Sequence, residues 1–378
     1  MTAPRLEIDL EKIHHNALTL VTRLHARGIS ATGVTKACMG DLRLAKTFLR
    51  AGIGTLADSR IENIRAMRRG GITSPLSLIR SPMQSQADSV VAHADVSFNT
   101  ELDVIGSLSA AAGKSGRRHG VLLMVELGDL REGILPGDLE AAVRQTRRFP
   151  NIDFKGIGAN FACRSGVVPD TKNLSELSRL ADSIDVAFGP VTDLVSGGNS
   201  ANLPWAFNCA DVGRINDLRL GESILLGLDP IHRCPIADLH TDAITFIAEA
   251  IESKSKPSLP WGKIAHAAFD TNLSVGDRGT ISQTILAAGH QDIDPDGLVA
   301  PEGTEIIGSS SDHLILDAGS RRISVGSEVS FKLNYSALLR AMTSPFVRKY
   351  FLERNSLHQF PSMLSGPPRF IGDKRQWH

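Results

Sequence analysis

Tyrosine is scarce in this chain of 378 residues, which has only Tyr335 and Tyr350 among its 5% of aromatic residues. Any acid–base role that needs a phenol therefore has few candidates. Cysteine is sparse as well: the four residues lie far apart, and none belongs to a Cys-x-x-Cys pair. That spacing argues against a disulfide framework and against the common zinc sites, so we predict no metal site.

Neither sign of charge is in excess, and long hydrophobic runs are missing. The 41 basic residues balance 41 acidic ones, which argues against nucleic acid or an anionic membrane as the main partner. No apolar run approaches the roughly 20 residues of a membrane span, and residues 1–9 lack the apolar core of a signal peptide. We therefore expect a cytoplasmic protein that acts on a small molecule. A net charge of zero leaves little repulsion between the copies of an oligomer.

What the chain does have is a regular alternation of short apolar runs and helical patterns. Eight candidate strands are Ile29–Lys36, Ile53–Ala57, Pro75–Arg80, Asp95–Asn99, Gly120–Glu126, Asp153–Phe161, Thr192–Ser196 and Asp217–Leu220. Helical periodicity fills most of the intervals between them. This order predicts an α/β fold built on a (β/α)8 TIM-type barrel. A doubly wound open sheet is the alternative, but no Gly-x-Gly-x-x-Gly motif follows an early strand.

The pattern changes near Pro230, after which alternating β-branched runs are interrupted by Gly and Pro. Such runs predict a C-terminal β-rich domain. We expect an N-terminal strand at residues 1–10 that joins the β-rich domain, a barrel at 11–230, the β-rich domain at 231–352 and a tail at 353–378. Within the second domain, Tyr335–Leu352 has a helical pattern.

In such a barrel the chemistry lies at the carboxyl ends of the strands. Lys36 ends the first candidate strand, where its amine could form a Schiff base with a carbonyl group or could simply reach water. The turn Ser196-Gly197-Gly198-Asn199-Ser200 follows the seventh strand and could bind a phosphate, although an ordinary tight turn has the same composition. Arg219 ends the eighth strand beside it, where a guanidinium often contacts a ligand.

These residues fall in segments that resemble the alanine-racemase-like, fold type III enzymes that use pyridoxal phosphate, and among them the ornithine racemase branch. The resemblance runs from Leu6 to about Tyr350. Its segments include Val34-Thr35-Lys36-Ala37, Ile157-Gly158-Ala159-Asn160-Phe161-Ala162-Cys163, Val195–Ser200, Leu218–Gly227, Gly289–Asp294, Gly308–His313 and Asn334–Leu339. It implies a racemase that interconverts the L- and D-forms of an α-amino acid by removing the α-proton from an external aldimine. It also implies a homodimer with active sites shared between its chains.

The resemblance assigns a role to each matching residue. Lys36 would carry pyridoxal 5'-phosphate and act as one catalytic base, and Arg131 would contact the substrate carboxylate. The remaining cofactor contacts would come from Asn160 beside the ring, Arg219 at the ring nitrogen, and Gly198, Ser200, Gly221 and Tyr335 at the phosphate.

The second catalytic base is the main departure from the family. Alanine racemases take it from a tyrosine of the partner chain, but the matching stretch here, Lys256–Gly262, has none. The pair Asp312 and His313 matches the segment that enters the partner's site, and an imidazole suits the task at neutral pH. We therefore predict His313 as the second base, with Asp312 beside it at the substrate. His290 and Cys163 are weaker candidates.

The resemblance to ornithine racemase suggests a polar or basic substrate. A basic side chain requires a carboxylate, and Glu126, Asp129 and Glu222 are all available. Two other functions remain open: a different enzyme on the same scaffold, such as a D-threonine-type aldolase or a decarboxylase, and a non-catalytic carrier of the cofactor. The aldolase would need a metal pair, and known carriers of this fold lack the β-rich domain.

Overall fold

The structure is a computed structural model that describes residues 2–263, residue 269 and residues 276–352. Its first strand, β1 (Arg5–Asp9), leads directly into helix α1 (Leu10–His25). Asp9 caps this helix, because its carboxylate accepts hydrogen bonds from the backbone N–H groups of Glu11 and Lys12. The chain then enters the barrel at Ser30.

Eight parallel strands close into a barrel, as the alternation of patterns predicts. The first of them pairs with both the second and the last, which closes the ring. The strands are β2 (Ser30–Val34), β3 (Thr55–Asp58), β4 (Leu76–Leu78), β5 (Val96–Asn99), β6 (His119–Met124), β7 (Ile152–Gly158), β8 (Leu194–Asn199) and β9 (Asp217–Leu220). Each overlaps one of the eight candidate strands, and the open-sheet alternative is therefore wrong.

Helices alternate with these strands and bury one apolar face each against the barrel. They are α2 (Leu42–Arg50), α3 (Ile61–Arg69), α4 (Ala87–His93), α5 (Leu102–Lys114), α6 (Leu139–Thr146), α7 (Thr171–Phe188), α8 (Leu203–Asn208) and α9 (Glu222–Leu226). In α2, for example, Leu44 and Phe48 are fully buried four residues apart. Within the described ranges, no helix is both long and apolar enough to cross a membrane.

The second domain is a largely antiparallel sheet, which confirms the β-rich prediction. Its strands are β10 (Ile244–Pro257), β11 (Thr280–Leu286), β12 (Leu298–Val299), β13 (Glu305–Ser309), β14 (Leu314–Asp317), β15 (Glu328–Leu333) and β16 (Arg348–Leu352). The N-terminal strand β1 belongs to this sheet, where it pairs antiparallel with β10 and parallel with β16. The tail expected at 353–378 lies outside the described residues.

The expectation of a continuous helical pattern over Tyr335–Leu352 is wrong. Helix α10 covers only Tyr335–Thr343, and strand β16 follows it. Pro345 lies just after the helix, and proline cannot donate the backbone hydrogen bond that a continuing helix needs. The following residues are free to pair with β1, a partner more than 300 residues away in the sequence.

Candidate active site

A cavity of about 550 Å³ opens at the carboxyl ends of the barrel strands. Its volume lies in the range of small-molecule sites. Most of the residues singled out in the sequence line this one cavity: Lys36, Arg131, Asn160, Cys163, Ser200, Arg219, Gly221, Glu222 and Tyr335. The topology explains this gathering, because parallel strands deliver the residues that follow them to the same end of the barrel.

Lys36 stands at the start of a tight turn just beyond β2. Thr35 anchors that turn: its backbone N–H bonds to the carbonyl of Ala57, and its hydroxyl donates to Asp58 at 2.7 Å. The turn itself is a short 3-10 helix over Lys36–Cys38. The lysine side chain is half-buried, so its amine faces the cavity from a rigid strand end.

Helix α10 brings Tyr335 to the lysine from the second domain. Its N-cap residue Asn334 accepts a hydrogen bond from the N–H of Ala337, which fixes Tyr335 as the first helical residue. The helix packs against the turn of Lys36, and the lysine Nζ lies 5.5 Å from the centre of the tyrosine ring. Burial raises the pKa of the Tyr335 phenol, so its hydroxyl stays protonated and can donate a hydrogen bond.

Arg219 projects into the cavity from β9 and is only 5% exposed. Its guanidinium donates to the Ser196 hydroxyl and, at 2.8 Å, to the carbonyl oxygen of Ala159. Burial lowers the pKa of Arg219 to about 10, which still leaves the group charged at neutral pH. The cavity thus contains a fixed, buried cation.

A buried carboxylate lies behind this arginine. Because arginine can only donate, the Ser196 oxygen must accept a hydrogen bond from it. The Ser196 hydroxyl then donates its own hydrogen bond to Asp217. Thr32 bonds to the other oxygen of Asp217 at 2.6 Å. Burial raises the pKa of Asp217, and both hydroxyls oppose that rise by donating to its charged form. Arg219, Ser196, Asp217 and Thr32 form one connected network, called here the arginine relay.

Asn160 follows β7 and contacts the same arginine. Its Oδ1 accepts from Asn199 at 3.1 Å and lies 3.3 Å from Nη2 of Arg219, which identifies Oδ1 as the acceptor side. Its Nδ2 is buried and has no hydrogen-bond partner within the described part of the chain. A buried donor without a partner at the wall of a cavity can serve a bound group.

The loops after β8 and β9 supply small groups and a hydroxyl. Ser200 is 4% exposed and accepts a hydrogen bond from the N–H of Ser223 at 3.3 Å. Gly221 allows β9 to pass close to β2, since a Cβ at this position would lie 3.0 Å from the carbonyl oxygen of Val34. Gly198 does not line the cavity: it has a φ of 144°, and the side chain of Asn202 fills the space beside it.

Arg131 lies on a loop after β6 that is held by carboxylates. Glu126 accepts from the backbone N–H groups of Gly128, Leu130 and Arg131 at 2.6–3.2 Å. The buried Asp129 accepts from the N–H groups of residues 163–165, which joins this loop to the one after β7. The Arg131 guanidinium donates to Sγ of Cys163 at 2.9 Å and forms an ion pair with Glu132 at 2.6 Å.

Like Gly198, the predicted residues Asp312 and His313 do not line this cavity. They lie between β13 and β14, with Oδ1 of Asp312 and Nδ1 of His313 3.0 Å apart, and both are partly exposed. His290 does not line the cavity either, and its ring stacks on Phe269 with 4.0 Å between ring centres. Among the described residues, no three His, Cys, Asp or Glu side chains form a group that could hold a metal ion.

Sequence reasoning missed the contact between Arg131 and Cys163 and the place of Glu132 in the wall. Both depend on how two loops fold against each other through Asp129. No local pattern signals such a contact, because the partners are more than 30 residues apart in the sequence.

Comparison with known proteins agrees with this architecture. The family model for the alanine racemase N-terminal domain matches residues 8–230. A lysine racemase of Thermotoga maritima is 37% identical over 353 residues, covering 93% of this chain and 99% of that enzyme. An ornithine racemase of Acetoanaerobium sticklandii is 35% identical over 353 residues, covering 92% of this chain and 99% of that enzyme.

Among solved structures, the alanine racemase of Streptomyces coelicolor A3(2) superposes with a TM-score of 0.72. The match covers 93% of this chain and 98% of that one at 16% sequence identity, so it supports the fold alone. The family match covers the whole barrel, and the two relatives extend it through the second domain. The chain therefore belongs to the alanine racemase family of fold type III enzymes and is an amino-acid racemase.

Proposed function

We propose that the chain racemises a basic α-amino acid with pyridoxal 5'-phosphate as its cofactor. The observation that carries this proposal is that Lys36, Arg219, Ser200 and Tyr335 line one cavity. Support for a basic substrate comes from the two relatives of nearly the same length, which are named for lysine and ornithine.

The residues of the cavity fit this cofactor. Lys36 offers an amine for its aldehyde, and the hydroxyls of Ser200 and Tyr335 are donors for its phosphate. The unpartnered Nδ2 of Asn160 offers a further donor. Pyridoxal phosphate, when bound, supplies an electron-withdrawing ring that makes the α-proton of the substrate acidic.

The chain's own groups then determine which reaction follows. Arg219 stays charged, so it would donate a hydrogen bond to the ring nitrogen and could not give that nitrogen a full proton. A weaker electron sink suits an enzyme that only removes and returns one proton, because it disfavours transamination. Arg131 would hold the substrate carboxylate, and Lys36 would move the proton at Cα on one face of the substrate.

Racemisation also needs an acid or base on the opposite face. We propose that His313 of a second copy of the chain supplies it, with Asp312 holding the imidazole. The close contact between these two side chains and their exposure support this assignment, since a residue that enters another chain's cavity must lie on the surface of its own. The proposed enzyme is thus a homodimer with shared active sites, and its cytoplasmic location stays a prediction.

The test combines cofactor absorbance with isotope exchange. Purified wild-type protein should show the long-wavelength band of the lysine-bound cofactor, and Lys36→Ala should lose it. Lysine and ornithine, each incubated in deuterium oxide and separated by chiral chromatography, should gain deuterium and invert together. If Lys36→Ala keeps the band, the lysine assignment is wrong. Exchange without inversion would instead indicate a one-base enzyme such as an aldolase or a decarboxylase.

A further inference from the structure

A basic substrate carries a distal ammonium group that the cofactor cannot hold. In the interior of a cavity that charge needs a carboxylate, because an unpaired buried charge is costly. The described cavity wall contains two carboxylates, Glu132 and Glu222, and the loops behind it contain Glu126 and Asp129. The hydrogen bonds of these four groups decide which of them is available.

Three of the four are already occupied. Glu126 accepts from three backbone N–H groups, and Asp129 accepts from three more, so both serve to fold their loops. Glu132 forms an ion pair with Arg131, the residue proposed to hold the substrate carboxylate. A substrate ammonium would have to compete with these partners.

Glu222 is different. It is half-buried in the cavity wall at the start of α9, and within the described ranges its carboxylate makes no hydrogen bond or ion pair. Burial raises its pKa to about 7, and the charges of Lys36 and Arg233 only partly offset that rise. Asp229, the other acid nearby, is itself occupied by the N–H of Ile231 at 2.9 Å and by His232 at 2.6 Å.

The position of Glu222 also suits a bipolar ligand. Arg131 follows β6 and Glu222 follows β9, so the two groups stand three strands apart around the barrel mouth. Lys36, which would act at Cα, follows β2, the neighbour of β9 in the ring. A carboxylate held at Arg131 and an ammonium held across the cavity would place the reacting carbon between two charged anchors.

We propose that Glu222 is the residue that selects a basic side chain, by accepting the distal ammonium group of the substrate. This inference rests on the proposed racemase function and adds the residue that discriminates among substrates. It predicts that removing the charge of Glu222 harms basic substrates specifically and leaves the handling of the α-carbon intact.

The experiment compares lysine with norleucine, which has the same carbon chain without the ε-amine. Glu222→Gln keeps the size of the side chain and removes its charge. We expect kcat/KM for lysine to fall on the order of 10- to 100-fold, the worth of a hydrogen bond to a charged group, and kcat/KM for norleucine to change little. Absorbance titration of the holoenzyme should show the same selective loss in the dissociation constants.

Two further variants sharpen the result. Glu222→Asp keeps the charge but moves it back by one methylene group, a distance that the longer side chain of lysine can span and that of ornithine cannot. The preference of this variant for lysine over ornithine should therefore exceed that of the wild-type enzyme. Glu132→Gln removes a carboxylate of the same cavity that is already paired with Arg131, so it should affect lysine and norleucine alike.

If Glu222→Gln leaves the ratio of kcat/KM for lysine to kcat/KM for norleucine unchanged, the inference is overturned. If Glu222→Gln does not fold, the ratio of lysine to ornithine in Glu222→Asp decides the question. The binding titration keeps this test separate from the proposed function. A wild-type protein that binds lysine better than norleucine but inverts neither would refute the racemase, while a selective loss of lysine binding in Glu222→Gln would still support the role of Glu222.

Discussion

At the scale of single residues, the arginine relay links a buried acid to the cation that would face the cofactor ring. Asp217 is 3% exposed and accepts hydrogen bonds from the hydroxyls of both Ser196 and Thr32. Its charge helps to keep Arg219 protonated despite burial. The relay therefore couples the charge at the barrel mouth to a carboxylate within the barrel, and we regard Asp217 as a positioning residue.

Asp217→Asn should disturb this relay, because an amide has only one acceptor oxygen and cannot accept hydrogen bonds from both Ser196 and Thr32. We expect a loss of about 1–3 kcal/mol in the free energy of unfolding, typical of an unsatisfied buried polar group. The cofactor absorbance of the holoenzyme should shift as well, since Arg219 would lose its fixed position. Denaturant unfolding and an absorbance spectrum measure the two effects.

Thr32→Val is the matched control for the relay, since it removes one hydrogen bond to Asp217 and does not touch Ser196. It should lower stability without shifting the spectrum. An unchanged spectrum in Asp217→Asn would show that the carboxylate does not position Arg219.

Much of the candidate site at this scale could be predicted from the sequence. Lys36 and Ser200 each follow a barrel strand and Arg219 lies near the end of another, and the strand order alone sends them to one end of the barrel. The choice among Glu126, Asp129 and Glu222 could not be made in the same way. It depends on which carboxylates the loops themselves use as hydrogen-bond acceptors, and those contacts form only in three dimensions.

At the scale of elements, the pairing of β7 with β8 requires a glycine at position 156. Gly156 lies in β7 with a φ of 139°, and a Cβ there would lie 2.0 Å from the carbonyl oxygen of Leu194 in β8. No side chain fits between two backbones at that distance. The backbone of β7 therefore depends on the absence of a side chain at this position.

Gly156→Ala should destabilise the barrel severely, by more than about 3 kcal/mol, because the clash is with backbone atoms that cannot move aside. Gly137→Ala is the control, since nothing lies within 4 Å of a Cβ at that position. Thermal unfolding of the two variants gives the comparison. Similar melting temperatures of the two variants would mean that β7 and β8 can move apart without a loss of stability.

The two halves of the chain differ in how far local pattern predicts their elements. The barrel strands are short apolar runs between turns and could be located from that pattern. The helical prediction for residues 335–352 is wrong at its end because the strand there forms by pairing with β1, a distant partner that no local pattern indicates. The two-residue strand β12 gives no periodicity to detect.

At the scale of the whole molecule, the proposed shared site makes a specific prediction about mixed dimers. A purified heterodimer of a Lys36→Ala chain with a His313→Ala chain should have one intact site of two, and hence about half of the wild-type activity. A heterodimer of the double variant with a wild-type chain should be inactive, because each site then lacks one residue. The reverse pattern would place both residues of a site in the same chain.

The pairing of β1 has a consequence for synthesis on the ribosome. The parallel partner of β1 begins at Arg348, so it emerges more than 300 residues after β1 itself. At about 5–20 residues per second, the first strand waits tens of seconds for that partner while the barrel that follows it is already complete. For this interval the nascent chain presents an unpaired strand edge, which is a target for chaperones and for mispairing with neighbouring chains.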